Sequence, residues 1–454
     1  MLLAAIRTCN SSPRLHSKTF LYSTTTLRSL ATLQTITPQQ FHNQFSPLVM
    51  APASSSSSPV QLVDVRNHDE IESHGKIKGA LNIPYHVAED QPKLFSTVLN
   101  DLDRSRKVVF QCASGRRSKK AADIAMDLGF QQVYNMEGGF TQWQKDKLLV
   151  QPFTQNHSPW VHTVMEGNTD TAQYIVTDLD SREAYVIDSV LDYDPLGGIV
   201  YPETASALVD FVNKHDLRVT KVIDTHVHAD HLTAAWYIKG RLATDPEFWI
   251  GKDVTKVQEV FAKRYNLSKD ELHFGGDQFD KLISEGDAWL LGADIQCSVI
   301  ATPGHTPACL SYRIGDAAFV GDTIFMPDVG TARCDFPGGS VKNLYDSIHK
   351  MYNTWPDDTR IYVGHDYPTD GRKYEVMTFL ENQKKHNKMI NDTVTPEEFI
   401  ALRQARDQSL KAPRFIHPSL QTNLRGGVLP SKEKSLHDSG LAGQFFKIPV
   451  RWRE

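Results

Sequence analysis

The sequence is short of cysteine, carries no excess of basic residues and contains no long apolar run. Five cysteines occur among its 454 residues, at positions Cys9, Cys112, Cys297, Cys309 and Cys334. An odd and scattered set predicts free thiols in a reducing compartment rather than a disulfide scaffold. Lysine and arginine total 49 against 54 acidic residues, so we expect no nucleic-acid partner. No apolar run approaches the roughly 18 residues that a membrane-spanning helix needs, so we expect no membrane partner.

The start of the chain has a biased composition. No aspartate or glutamate occurs before Asp64, while arginine, serine and threonine are frequent. This composition is typical of an organelle transit peptide, so we predict a disordered leader over residues 1–35 and import into the mitochondrial matrix, with a plastid as the second option. A flexible, uncharged terminus is the alternative. Thr37 followed by Pro38 predicts the first helix start, and the serine run at 54–58 predicts a solvated loop.

The first part of the remaining chain alternates apolar strands with a helix. Residues 60–65, 107–111 and 132–135 have the pattern of buried strands, and 118–128 has the period of an amphipathic helix. This order predicts a parallel α/β domain over residues 36–150. Proline and polar residues then predict a linker over 151–160.

The second part is longer and mixes both element types. Strand patterns occur at 173–177, 184–190, 219–224, 295–301 and 317–321, and a helical pattern occurs at 204–216. We predict a single α/β domain over residues 161–454, built as a sandwich of two sheets.

Cys112 stands at a strand end where a loop leads into a helix. Backbone N–H groups converge there, and the positive end of the helix dipole favours a thiolate over a thiol. Four cations follow within eight residues, at Arg116, Arg117, Lys119 and Lys120. We therefore predict a reactive cysteine. A buried structural cysteine is the alternative.

This region resembles the rhodanese family of sulfurtransferases. The matching motifs are Asp64-Val65-Arg66, the run from Gly79 to Pro84, the Cys-x-x-Gly-x-Arg-Ser loop at Cys112, and Gly138-Gly139-Phe140 with Trp143. The resemblance implies that Cys112 accepts a sulfane sulfur and transfers it between thiosulfate or sulfite and glutathione, with Arg117 as the second catalytic residue. The sequence departs from the family at 67–70, where many members have Glu-x-x-Glu.

A second group of residues has the composition of a metal site. Thr225-His226-Val227-His228-Ala229-Asp230-His231 places three imidazoles and a carboxylate in one short segment. His305, Asp322 and His365 each follow an apolar run and lie beside a glycine, where a loop at a strand end can aim a ligand inward. Any one of these histidines alone would be explained by hydrogen bonding, but the set predicts a metal. His86, His157, His349 and His386 lack such a context, and we assign them structural roles.

The set resembles the metallo-β-lactamase superfamily, whose signature is His-x-His-x-Asp-His, and this implies an αββα sandwich. Two metal arrangements are compatible with it. A dinuclear zinc hydrolase like glyoxalase II would use His226, His228 and His305 for one ion, Asp230, His231 and His365 for the other, and Asp322 as a bridge. A mononuclear Fe(II) centre would use two histidines and one carboxylate.

Three further segments resemble the persulfide dioxygenase branch of this superfamily: residues 326–336, Gly364-His365-Asp366-Tyr367 and Leu424-Arg425-Gly426-Gly427. The resemblance implies one Fe(II) on His226, His305 and Asp322, with His228, Asp230, His231 and His365 orienting those ligands. It also implies glutathione persulfide as substrate. Arg333 is our candidate for binding a glutathione carboxylate. Tyr345 and Tyr367 are further candidates, for which simple packing is the alternative, and Cys334 stands where many members have threonine.

The two resemblances support each other, because a sulfur-transferring module and a persulfide dioxygenase share glutathione persulfide. We therefore expect a bifunctional enzyme that uses glutathione persulfide, O2, and thiosulfate or sulfite. A homodimer is a candidate assembly that the sequence does not decide. The alternatives are a zinc thioesterase fused to a rhodanese module, a sulfur-sensing protein, and an RNA-processing nuclease, which the net charge disfavours.

Overall fold

The computed structural model describes residues 32–45, 60–152, 157–368, 371–430 and 445–449. Most of the predicted leader and the serine run at 54–58 lie outside these ranges. The first strand, β1 (Gln34–Ile36), pairs in parallel with residues 134–136. The sheet therefore begins two residues before the predicted domain start at 36, because Gln34 and Thr35 already have backbone partners there.

The N-terminal domain is a parallel sheet covered by helices. After β1 its elements are α1 (Pro38–Gln44), β2 (Val60–Asp64), α2 (His68–His74), β3 (Leu81–Asn82), α3 (His86–Asp90), α4 (Pro92–Asn100), β4 (Lys107–Gln111), α5 (Arg116–Asp127), β5 (Val133–Met136) and α6 (Gly139–Lys145). The strand order is β1-β5-β4-β2-β3. Thr37 caps α1 through a reciprocal bond with Gln40, as the sequence predicts. The predicted parallel α/β domain is confirmed.

The C-terminal domain begins with a mixed sheet. Its elements are β6 (Trp160–Glu166), β7 (Thr171–Thr177), β8 (Glu183–Ile187), β9 (Val190–Asp194), β10 (Ile199–Tyr201), α7 (Glu203–Lys214), β11 (Arg218–Ile223), β12 (Leu232–Thr233), α8 (Ala235–Lys239), β13 (Glu247–Gly251), α9 (Val254–Tyr265) and β14 (Lys281–Ile283). Six of the strands form a sheet in the order β14-β13-β11-β8-β7-β6. The predicted strand at 184–190 is two strands, because Asp188 turns the chain with φ +52°.

The second sheet of this domain has the order β15-β16-β17-β18-β19-β20. Its elements, with the helices that follow them, are β15 (Ala288–Leu291), β16 (Ile295–Ala301), β17 (Leu310–Ile314), β18 (Ala317–Phe319), α10 (Val341–Thr354), β19 (Arg360–Tyr362), β20 (Met377–Phe379), α11 (Leu380–His386), α12 (Pro396–Ser409) and α13 (Ile416–Asn423). Tyr174, Ile187 and Ile223 of the first sheet pack against residues of the second such as Tyr312 and Phe319. Helices cover both outer faces, which confirms the αββα sandwich.

The two domains contact each other through polar side chains. The indole of Trp160 donates to Asp101 at 2.7 Å, and Arg106 pairs with Glu375 at 3.0 Å. Within the described ranges, no helix has both the length and the apolar character needed to cross a bilayer. The linker at 151–160 stays a prediction.

Candidate functional site

The Cys112 loop provides hydrogen bonds to sulfur. The backbone N–H of Gly115 donates to the Cys112 Sγ at 3.1 Å, and the Ser118 hydroxyl donates at 3.4 Å. Although burial raises it, these bonds and the N–H groups of Ser114 and Ser118 hold the pKa of Cys112 below its ordinary value. By contrast, burial raises the pKa of Cys297 and Cys309 to about 12. The loop therefore favours an anionic sulfur at Cys112.

The Gly138-Gly139-Phe140 motif holds the Cys112 loop through backbone hydrogen bonds. The N–H of Phe140 donates to the Cys112 carbonyl at 2.8 Å, and the N–H of Thr141 donates to that of Ala113 at 3.0 Å. Gly139 has φ +54°, and a Cβ there would overlap the Cys112 carbonyl oxygen. The motif thus fixes the strand end from which the thiol projects.

The cations that the sequence places near Cys112 do not surround the sulfur. Arg116, Lys119 and Lys120 are exposed. Arg117 binds both carboxylate oxygens of Glu70, at 2.7 and 2.6 Å, and this interaction lowers the pKa of Glu70 although burial opposes it. Cys112 itself is buried. Hydrogen bonds therefore contribute most to stabilising its thiolate, and the Arg117 guanidinium, which is bound to Glu70, adds a Coulombic interaction with Cys112.

The predicted metal ligands meet at one edge of the sandwich. The segment from His226 to His231 connects β11 to β12, His305 follows β16, Asp322 follows β18, and His365 follows β19. Strands β16 and β18 run in the same direction, since each is antiparallel to β17, and β19 is parallel to β18. Their carboxyl ends therefore lie at the same edge, which brings these loops together.

His226, His305 and Asp322 form a compact triad. Their ligand atoms lie within 4.8 Å of one another, and the His305 Nε2 is 3.7 Å from the Asp322 Oδ2. All three residues are buried. The His226 Nε2 and the Asp322 Oδ1 are buried atoms without a hydrogen-bond partner in the described part of the chain. Because such atoms are costly unless something binds them, the triad fits a metal ion.

The opposite nitrogens of these histidines are held by the protein. The His226 Nδ1 is 3.1 Å from the Thr225 hydroxyl, and the His305 Nδ1 is 2.8 Å from the Arg333 carbonyl, to which it donates. The His365 Nδ1 lies 3.1 Å from the Asp170 carbonyl. Fixing one ring nitrogen orients the other, which is how proteins present imidazole to a metal. Burial and the neighbouring His228 hold the pKa of His226 well below its ordinary value, which favours the neutral ligand form.

His228 has a different environment from the triad. Its Nε2 pairs with the Asp188 carboxylate at 3.0 Å. Although burial lowers it, the carboxylates of Asp188 and Asp224 raise the pKa of His228 to about 10. Asp230 contacts the His231 Nδ1 at 2.9 Å and the His365 Nε2 at 3.4 Å. The His365 Nε2 lies equally close, at 3.4 Å, to the Asp322 Oδ1, so this ring is between Asp230 and the triad.

Comparisons with known proteins identify both domains. A model of the rhodanese-like domain matches residues 52–146, and a model of the metallo-beta-lactamase superfamily matches residues 177–365. Over 292 residues the chain is 43% identical to a protein named "probable metallo-hydrolase" from Burkholderia pseudomallei (strain 1710b), covering 62% of this chain and 96% of that one. The chain belongs to the metallo-β-lactamase superfamily. It carries a rhodanese-like domain in addition, so both predicted families are confirmed.

Two further relatives differ in their names. Glyoxylase B2 of Dictyostelium discoideum is 42% identical, with 63% of this chain and 95% of that protein covered. The mitochondrial persulfide dioxygenase ETHE1 of Homo sapiens is 30% identical, with 57% and 85% covered. The names of these relatives all describe enzymes, and they differ in the named activity.

The metallo-β-lactamase domain holds its His226–His231 segment with a residue that sequence reasoning missed. The Asn423 side-chain amide donates to the carbonyls of His228 and His231, at 2.8 Å each, and its oxygen accepts from the Thr233 N–H at 2.8 Å. Asn423 is the last residue of α13 and directly precedes the Leu424-Arg425-Gly426-Gly427 motif. Only that motif pointed to this part of the chain.

Asn423→Leu is expected to weaken metal binding. The substitution leaves three buried backbone groups without partners, which destabilises the fold by about 2–4 kcal/mol, and the loosened ligand segment lowers metal affinity about 10–100-fold. Gln421→Leu is the matched control, because Gln421 is a buried amide on the same helix whose bonds go to His417 and Lys447 instead. Chelator competition measures the affinity. Equal metal affinities in the two variants would contradict this positioning role.

A cavity of about 440 Å³ opens beside the triad in the metallo-β-lactamase domain. Arg333 and Tyr367 line it, and Tyr367 stacks on His365 with ring centroids 5.8 Å apart. The Arg333 guanidinium already binds Asp335 at 2.6 Å and the Lys411 carbonyl at 2.6 Å, so its role toward a substrate carboxylate stays a prediction.

The structure does not bring Tyr345 to this cavity. Its hydroxyl donates to the Val394 carbonyl at 3.3 Å and its ring packs beside Phe399, because α10 turns this face toward α12. The packing alternative is therefore correct for Tyr345. Two arginines that sequence reasoning missed, Arg264 and Arg414, also line the cavity.

Proposed function

We propose that the metallo-β-lactamase domain is an Fe(II)-dependent persulfide dioxygenase. It would convert glutathione persulfide, O2 and water into sulfite and glutathione. The observation that carries this proposal is the buried triad of His226, His305 and Asp322, because two histidines and one carboxylate are the ligand set of non-haem Fe(II) oxygenases. Iron would supply open coordination positions and the redox chemistry that the reaction of O2 with a closed-shell sulfur anion requires.

The way the candidate ligand atoms group in space favours one metal ion over two. A dinuclear centre needs the sets His226/His228/His305 and Asp230/His231/His365, and neither occurs among the compact triads found in the described residues. We therefore assign His228, Asp230, His231 and His365 to orienting the ligands and the loops that carry them.

One observation supports a second candidate function. His228, Asp230 and His231 form a compact triad of their own, and the His228 Nδ1 and His231 Nε2 are buried without hydrogen-bond partners among the described residues. A second ion there would give a dinuclear zinc thioester hydrolase, in agreement with the name of the Dictyostelium relative.

The cavity beside the triad suits an anionic tripeptide. Its volume is within the usual range for small-molecule sites. Arg264 and Arg414 line its wall together with Asp170 and Asp335. The two guanidinium groups are the candidates for binding the two carboxylates of glutathione. Tyr367 covers His365 at the same opening, so it would limit access of water to the reacting sulfur.

The rhodanese-like domain would handle the same sulfur carrier. The Cys112 thiolate would attack the outer sulfur of thiosulfate, which releases sulfite and leaves a persulfide on Cys112. A glutathione thiolate would then take that sulfur and regenerate Cys112. The reverse direction uses the same steps. We also propose action in the mitochondrial matrix, where the acid-free start of the chain would direct it.

The test is to purify the protein without oxygen, count its metals and add glutathione persulfide with O2. We expect about one iron per chain, with one sulfite formed for each O2 consumed. An iron-loaded sample that consumes no O2 would overturn the dioxygenase. Two zinc ions per chain together with hydrolysis of lactoylglutathione would support the thioester hydrolase instead.

A further inference from the structure

A second cluster of histidines and carboxylates lies between the two domains, outside both sites described above. His68 begins α2 of the rhodanese-like domain, His157 lies in the segment just before β6, and Asp294 lies in the turn between β15 and β16. The ligand atoms of these three residues lie within 4.8 Å of one another. The His157 Nε2 is 3.3 Å from the Asp294 Oδ2. The sequence analysis assigned His157 a structural role because it lacks the strand-end context of the candidate ligands.

Two more carboxylates face the same histidines. Asp180, in the turn between β7 and β8, lies 3.4 Å from the His68 Nδ1. Glu72, one turn along α2, lies 3.1 Å from the His157 Nε2. The side chains of His68 and His157 are 12% and 3% exposed, whereas the carboxylates are about half exposed. The cluster thus has buried nitrogens and an open, acidic side through which a cation can enter.

The two imidazole rings of this cluster lie side by side, with centroids 4.3 Å apart. Each ring directs a nitrogen at carboxylate oxygens, of Asp180 for His68 and of Asp294 and Glu72 for His157. A divalent ion placed among these atoms would bind nitrogen from both rings and offset the negative charge of the carboxylates.

We propose that His68, His157 and Asp294 bind one divalent transition-metal ion of the zinc class, with Asp180 or Glu72 as the fourth ligand. Neutral imidazole and carboxylate are the donors that such ions accept in tetrahedral sites. Bonds of about 2.0–2.1 Å place tetrahedral ligands about 3.3 Å apart, and the His157–Asp294 distance already has this value. The ion would join helix α2 to the segment before β6 and to the turn between β15 and β16.

This position also connects the ion to the sulfur-transfer loop. Helix α2 carries Glu70, which holds Arg117 beside the Cys112 loop. An ion on His68 would therefore restrain the helix that positions this ion pair. The proposal does not depend on the reaction assigned to either domain, since it concerns how the two are held together.

The experiment titrates Zn²⁺ calorimetrically into the iron-loaded full chain under argon, with iron measured before and after. Wild-type protein should bind one more zinc per chain than His68→Gln, and Asp294→Asn should weaken that site at least tenfold. His74→Gln is the matched control, because His74 is an exposed histidine on the same helix whose ring contacts the Glu70 carbonyl and none of the proposed ligands. It should bind zinc like wild type.

Thermal unfolding gives a second measurement on the same samples. Added Zn²⁺ should raise the Tm of wild type and His74→Gln and leave that of His68→Gln unchanged. Asp294 is about half exposed, so Asp294→Asn stays folded and tests the site even if His68→Gln is unstable. The proposal is overturned if wild type, His68→Gln and Asp294→Asn bind equal amounts of zinc with equal affinity.

Discussion

Cys112→Ser is expected to abolish sulfur transfer from thiosulfate to glutathione, by about a thousandfold or more. A serine hydroxyl stays protonated at neutral pH and cannot hold a transferable sulfur, whereas the hydrogen bonds from Gly115 and Ser118 favour a thiolate at Cys112. Oxygen uptake on preformed glutathione persulfide should be unchanged, because the triad lies in the other domain. Sulfite release from thiosulfate and glutathione under argon measures the first activity, and an oxygen electrode measures the second.

Arg116→Ala is the control for this experiment. Arg116 belongs to the same loop but is exposed, so we expect its loss to change the transfer rate by less than about threefold, as for a screened surface charge. A Cys112→Ser protein that keeps its transfer activity would remove Cys112 from the reaction. A large loss in Arg116→Ala would instead show that net charge, rather than the hydrogen bonds, stabilises the sulfur anion.

The strands and helices around both sites were largely predictable from the sequence, because their apolar residues recur with a clear strand or helix spacing. The predicted strands at 107–111 and 295–301 agree with β4 and β16 at both ends. The prediction of one strand over 184–190 is wrong at Asp188, where a left-handed backbone conformation separates two strands. Its apolar flanks give no sign of this turn, which the carboxylate's bonds to Thr225 help to hold.

The candidate ligands were predictable, but the residues that position them were not. His226, His305 and Asp322 stand in short motifs, and each motif is visible on its own. Asn423 acts on the carbonyl of His228 from 195 positions away, and Glu70 holds Arg117 from 47 positions away. Such partners become visible only when the fold brings distant segments together. The sequence also did not show where a side chain points, since the Arg117 guanidinium binds Glu70 rather than the sulfur.

Asp322→Asn is expected to remove most oxygen uptake, by about a hundredfold to a thousandfold. The amide keeps the shape of the side chain but removes the negative charge that balances a divalent ion in a buried site. Iron content after dialysis should fall in parallel, while sulfur transfer by Cys112 continues. Elemental analysis, oxygen uptake and the transfer assay on one preparation measure all three effects.

Asp230→Asn is the comparison that separates the two metal arrangements. In the mononuclear arrangement Asp230 only contacts His231 and His365, so this variant should keep one iron per chain and lose affinity by about 10–100-fold at most. In the dinuclear arrangement it is a ligand, and one of two ions would be lost. If Asp322→Asn keeps its iron while Asp230→Asn loses a metal ion, the triad of His226, His305 and Asp322 is not the centre of the reaction.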